Sequence, residues 1–83
     1  MSFCLCVEYN AMPDWPSPQR FDERLEKLLK KRSSGSGFGG VRDMTWAYRT
    51  KDAANTAAKT VRAYRKKEKK AVYRNARVTV FEY

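Results

Sequence analysis

Phe3, Leu5, Val7 and Tyr9 alternate with Cys4, Cys6 and Glu8, the two-residue period of a strand with one face on a core. Asn10 to Pro18 is punctuated by three prolines and reads as a loop. Ser17 followed by Pro18 is a good N-cap and first-turn pair, so a helix is expected over 18–32. Its apolar residues Phe21, Leu25, Leu28 and Leu29 fall at i, i+4, i+7 and i+8. Lys30, Lys31 and Arg32 sit in the expected last turn, where cations suit the helix dipole. Ser33 to Gly40 is rich in glycine and serine and fits either a flexible loop or a short edge strand around Phe38 that turns at Gly39-Gly40. Val41 to Thr50 is strand-like, with Met44, Trp46 and Tyr48 on one face and Thr45, Ala47 and Arg49 on the other. Thr50 is a candidate N-cap for a second helix over 51–69, on which Ala54, Ala57, Ala58, Val61 and Tyr64 share a face. Ala76 to Tyr83 completes the pattern as a strand, Val78 and Val80 facing one way and Thr79, Phe81 and Tyr83 the other.

The order β-α-(β)-β-α-β, with amphipathic helices and alternating strands, predicts an α+β domain with an antiparallel sheet of three or four strands and two helices on one face. This order resembles the ferredoxin-like plait over nearly the whole chain, an architecture that hosts many unrelated functions. A looser local resemblance lies in Ser36-Gly37-Phe38-Gly39-Gly40-Val41, then Trp46-Ala47-Tyr48, then Lys51-Asp52-Ala53-Ala54-Asn55-Thr56-Ala57-Ala58. These segments are similar to the third strand and second helix of an RNA recognition motif. That resemblance implies aromatic rings stacking on bases from the open sheet face. The spacing from the glycines to the aromatics is longer than in that family, and the first strand carries Cys4, Cys6 and Glu8 where an aromatic is expected.

Eighty-three residues fit one domain with a thin core, and 42% hydrophobic residues argue against wholesale disorder. Charge changes the picture most. The chain carries 18 Lys+Arg against 9 Asp+Glu, a net +9 with no histidine. Residues 1–41 hold six basic and five acidic side chains, and residues 42–83 hold twelve and four, so the surplus belongs to the second half. Lys59, Arg62, Arg65, Lys66, Lys67, Lys69, Lys70, Arg74 and Arg77 crowd one stretch that only Glu68 opposes. The ordinary reading of such a run is a solvated helix face. Mutual repulsion among so many like charges tips the balance to a polyanionic partner.

The candidates for catalysis are few. Histidine is absent, and Asp22, Glu23 and Glu26 read as surface charge on the first helix. Glu8 and Asp43 can meet across the sheet, which leaves a metal-dependent nuclease as a minor alternative. Two cysteines without histidine do not complete a four-ligand structural zinc site in one chain, and Cys4 and Cys6 read as buried thiols. The glycine run is not a phosphate loop, since no lysine follows at the required spacing. Neither an export leader nor a run of about 18 apolar residues is visible, so a cytoplasmic location is expected. No enzyme activity, metal or cofactor is expected.

The expectation is a small basic binding protein that contacts nucleic acid or a nucleoprotein complex through a positive stripe on the second helix, where Arg62, Arg65, Lys66 and Lys69 recur at helical spacing. The candidate contact residues are Arg62, Arg65, Lys66, Lys67, Lys69, Lys70 and Arg74, with Trp46 and Tyr48 as candidate stacking rings. The alternative is a compact inhibitor or adaptor that binds a host protein complex, of the anti-CRISPR-like kind that phages direct against host defence. A homodimer through the open sheet face or an edge strand is compatible with both.

Overall fold

The computed structural model of the chain describes residues 2–10, 19–38 and 40–82. The expected N-cap at Ser17-Pro18, most of the preceding loop, Gly39 and Tyr83 lie outside the described residues. Strand β1 (Phe3–Asn10), helix α1 (Gln19–Leu29), strand β2 (Ser34–Phe38), strand β3 (Val41–Tyr48), helix α2 (Lys51–Arg65), the short helix α3 (Ala71–Arg74) and strand β4 (Arg77–Glu82) follow in order. The sheet runs β2-β3-β1-β4, with each neighbouring pair antiparallel. This is an α+β fold consistent with the ferredoxin-like plait. The open question over 34–40 resolves as an edge strand, hairpinned onto β3 through a turn in which Gly40 adopts φ 85°, a conformation that favours glycine.

The register explains which face the helices cover. Leu5 lies between Trp46 and Val80, and Val7 between Met44 and Val78. These side chains form one core with Phe21 and Leu25 of α1 and with Ala57, Ala58 and Val61 of α2. Ala54, Ala57 and Ala58 are buried, and their small side chains let the α2 backbone lie close to the sheet. The opposite face carries Cys4, Cys6 and Glu8 in β1, flanked by Asp43, Thr45 and Ala47 of β3 and by Arg77, Thr79 and Phe81 of β4.

Both long helices stop short of their expected ends. Helix α1 ends at Leu29 because Lys30 turns left-handed at φ 55° and the Lys31 N–H returns to the Glu26 carbonyl at 3.2 Å, a Schellman closure. The Glu26 carboxylate then accepts from the Ser33 N–H at 2.8 Å and fixes the turn into β2. Helix α2 starts as expected, with Thr50 Oγ1 accepting from the Ala53 N–H at 3.1 Å. It ends at Arg65 rather than at residue 69. Glu68 is drawn across to α1, where Arg24 Nη2 donates to Oε1 at 2.7 Å and Nε to Oε2 at 2.9 Å, and Tyr64 Oη donates to Oε2 at 2.6 Å. Continuing the helix would break this bidentate pair.

The segment after α2 anchors itself with one aromatic. Tyr73 of α3 stacks on Phe21, with centroids 4.3 Å apart, and meets Tyr9 edge-on at 5.5 Å. Beside this cluster Asp22, 4% exposed, accepts from Tyr9 Oη at 2.5 Å and pairs with Arg42. Gly35 leaves room for that arginine, since a Cβ there would lie 3.0 Å from Arg42 Nη2.

The buried phenols carry a pH signature. Burial, reinforced by the Asp22 carboxylate, holds the Tyr9 phenol far above its ordinary range, and burial also raises Tyr64 and Tyr73. Above about pH 10 the unfolded chain sheds phenolic protons that the folded chain keeps. Stability is therefore whole below that pH and falls above it, by about 1.4 kcal/mol per pH unit for each fully retained proton. Urea midpoints measured from pH 8 to pH 11 should fall progressively above pH 10, and Tyr9→Phe should flatten that slope. A parallel slope in Tyr9→Phe would remove Tyr9 as a source of the effect.

Candidate nucleic-acid interface

The candidate basic residues divide into two groups. Arg62, Arg65 and Arg74 spend guanidinium hydrogen bonds on the protein's own carbonyls. Arg62 Nη2 donates to the Val78 carbonyl at 3.0 Å, and Arg65 Nη1 donates to the Ala76 carbonyl, so both tie α2 to the start of β4. Arg74 Nη1 donates to the carbonyls of Glu68 at 2.9 Å and Lys69 at 2.5 Å, which holds the segment between α2 and α3 in shape. Arg62 and Arg65 also sit in the last turn of α2, where positive charge complements the helix dipole.

Lys66, Lys67, Lys69 and Lys70 form the second group. All four are exposed on the connection between α2 and α3. Glu68, the only acid in this run, is turned inward onto Arg24 and Tyr64, its side chain only 9% exposed. Its charge is thus neutralised from the other side, and the outer surface of the connection is cationic. Arg62, Arg65, Lys66 and Lys69 do not make one continuous helical stripe, because Lys69 lies beyond the end of α2. The basic surface is a short loop braced by Arg74, with Arg62 and Lys59 on the exposed turns of α2 leading to it.

The candidate stacking rings lie elsewhere. Trp46 is 1% exposed on the helix side of the sheet, with Nε1 donating to the Lys31 carbonyl at 2.9 Å. Tyr48, on the same side, is half-buried beneath the Lys31 ammonium, which stands 4.4 Å from the ring centroid. The stacking platform implied by the RNA-recognition resemblance is therefore not built by these two residues. Gly37 of that resemblance lies in β2 and Gly40 in the turn before β3, rather than at the head of an aromatic-bearing strand. The physical reason is parity. Trp46 and Met44 face the same side as Leu5 and Val7, and that side is the one closed by α1 and α2.

Phe81, 45% exposed, is the exposed aromatic among the described side chains, and it sits on the open face beside Cys4. Cys4 and Cys6 are both free and buried under their neighbours on that face. Burial, then the nearby carboxylates of Glu8 and Asp43, push the Cys6 thiol up to about 11. Residue patterning does not predict α3, although the apolar pair Val72-Tyr73 inside a charged run marks the spot.

Among the described residues no helix is long and apolar enough to cross a membrane. No protein-family model, no curated protein and no solved structure matches this chain.

Proposed function

We propose that this chain is a non-enzymatic binding module for a polyanion, nucleic acid or a nucleoprotein assembly, gripped through the lysine-rich connection between α2 and α3. One observation carries the reading: Glu68 is pulled inward by Arg24 while Lys66, Lys67, Lys69 and Lys70 stay at the surface. A run that only had to be soluble would gain from an acid kept among its lysines. Here the acid is withdrawn, and the repulsion left outside is relieved when a phosphate backbone docks.

Without exposed rings at Trp46 and Tyr48, the contact is with phosphates more than with base edges, so weak sequence preference is expected. The test is a salt series of binding to single- and double-stranded RNA and DNA. With about four phosphates neutralised, log affinity against log salt should fall with a slope of about −3 to −4. Absence of binding at low salt, or affinity indifferent to salt, would remove the proposal. A nuclease-resistant complex with a host protein would then favour the inhibitor reading.

A further inference from the structure

The sheet face turned away from the helices holds a second cluster of chemistry, separate from the basic loop. The β1–β3 register sets Glu8 beside Asp43, and Cys6 projects from the same face two residues earlier in β1. Cys6 Sγ and one carboxylate oxygen each from Glu8 and Asp43 lie within 4.8 Å of one another. Cys6 is 7% exposed, with Sγ 3.9 Å from Glu8 Oε1. Independently, Asp43 Oδ1 is buried and receives no hydrogen bond, the one such side-chain oxygen or nitrogen among the described residues. The ion pairs of the described residues engage Asp22 and Glu68 and do not reach this trio. Asp43 Oδ1 is thus a buried oxygen without a donor beside a second carboxylate and a thiol. Arg77 stands across from Glu8 in β4, but the ion pairs of the described residues do not join it to either carboxylate, and a cation would relieve the arrangement.

We propose that Cys6, Glu8 and Asp43 form a divalent-cation site of the zinc class, with the remaining coordination position open to water on the exposed sheet face. The donor set selects the metal. Calcium and magnesium take all-oxygen shells, whereas one sulfur and two oxygens suit tetrahedral zinc with three protein ligands. Zinc bonds of about 2.3 Å to sulfur and about 2.0–2.2 Å to oxygen imply donor separations near about 3.5 Å, so the trio draws in by about 1 Å on binding. The longer, half-buried Glu8 side chain can supply most of that movement. On binding, the Cys6 thiol releases its proton to solvent and its sulfur bonds to the cation, while both carboxylates ligate as anions. The local charge changes from two negative to one negative. The bound cation pins β1 to β3 from the side that the core does not reach.

Cobalt(II) is the probe, titrated into the intact chain under a non-chelating reductant. A sulfur-to-cobalt charge-transfer band in the near ultraviolet should grow to saturation at one equivalent, together with ligand-field bands of tetrahedral intensity, and zinc should erase both. Cys6→Ser should abolish the charge-transfer band, and Cys4→Ser should keep it. Asp43→Asn should weaken cobalt binding by at least about tenfold, the loss that even outer-shell partners cause. Circular dichroism checks that each variant is folded. If Cys6→Ser does not fold, Glu8→Gln carries the test, with the band retained but the affinity lowered at least about tenfold. No band in excess cobalt, a band that survives in Cys6→Ser, or an affinity unchanged in Glu8→Gln would overturn the site. None of these readouts depends on nucleic acid, so the site and the basic interface stand or fall separately.

Discussion

Changing Lys66, Lys67, Lys69 and Lys70 together to glutamine should lower affinity for nucleic acid by about 100- to 1000-fold at low salt and reduce the salt slope by about 3. The expectation follows from the position of these four side chains. They are exposed on a segment whose shape is set by other groups, namely the Arg24–Glu68 pair, the Arg74 bonds to two carbonyls, and Tyr73 in the aromatic cluster. None of those groups is altered, so the charge can be removed without dismantling the loop. Exposed substitutions usually change stability by less than about 0.5 kcal/mol each. Loss of mutual repulsion should leave the thermal midpoint unchanged or slightly raised. Fluorescence anisotropy on a labelled oligonucleotide, with a melting curve for each protein, measures both quantities. A quadruple variant that binds as the parent does would place the interface somewhere other than this loop. Arg62→Gln and Arg65→Gln would be poor substitutes, because each also cuts a tie between α2 and β4.

Trp46→Ala should have the largest effect on stability. The ring is fully inside the core, and its indole N–H satisfies a carbonyl in the turn after α1. Truncating a buried tryptophan costs about 3–5 kcal/mol, against a total of about 4–12 kcal/mol for a domain of this size. The melting temperature should therefore drop by about 12–40 °C, and binding at working temperature should fade only as the folded fraction does. Trp46→Phe, which keeps a ring but loses the donor, should be milder. The diagnostic outcome is the converse one. A Trp46→Ala protein that melts like the parent but no longer binds would make the indole a base contact and invalidate the packing described above.

The strands were legible in the sequence because a period of two is hard to mimic. Leu5, Val7, Met44, Trp46 and Val78 alternate cleanly, and each is found on the helix side. What alternation does not reveal is which face the helices close. Trp46 and Tyr48 were therefore candidates for an exposed platform until the register placed them opposite Leu5 and Phe3. The helix ends were misjudged for a related reason. Lys30 and Lys66 are good helix formers, and the contacts that stop each helix are specific: a left-handed turn closed on Glu26 in one case, and a pairing 44 residues apart between Arg24 and Glu68 in the other. The basic run was visible as composition, but its division into bracing arginines and outward lysines was not, since both kinds carry the same charge. Glu8 and Asp43 were recognised as partners across the sheet. The addition of Cys6 to them needed the side-chain geometry.

The sheet order has a kinetic consequence. Strand β1 is central, and one of its edges is closed by β4, with Phe3 opposite Glu82. Pairing strands so far apart along the chain requires closing a long loop, and non-local pairing of this kind slows folding. Until β4 arrives, the stretch Cys4-Leu5-Cys6-Val7, buried throughout in the finished fold, presents an open hydrophobic edge. Two half-folded chains that meet at that moment can pair through β1. Crowded refolding should therefore divert chains into aggregates that dilute refolding avoids.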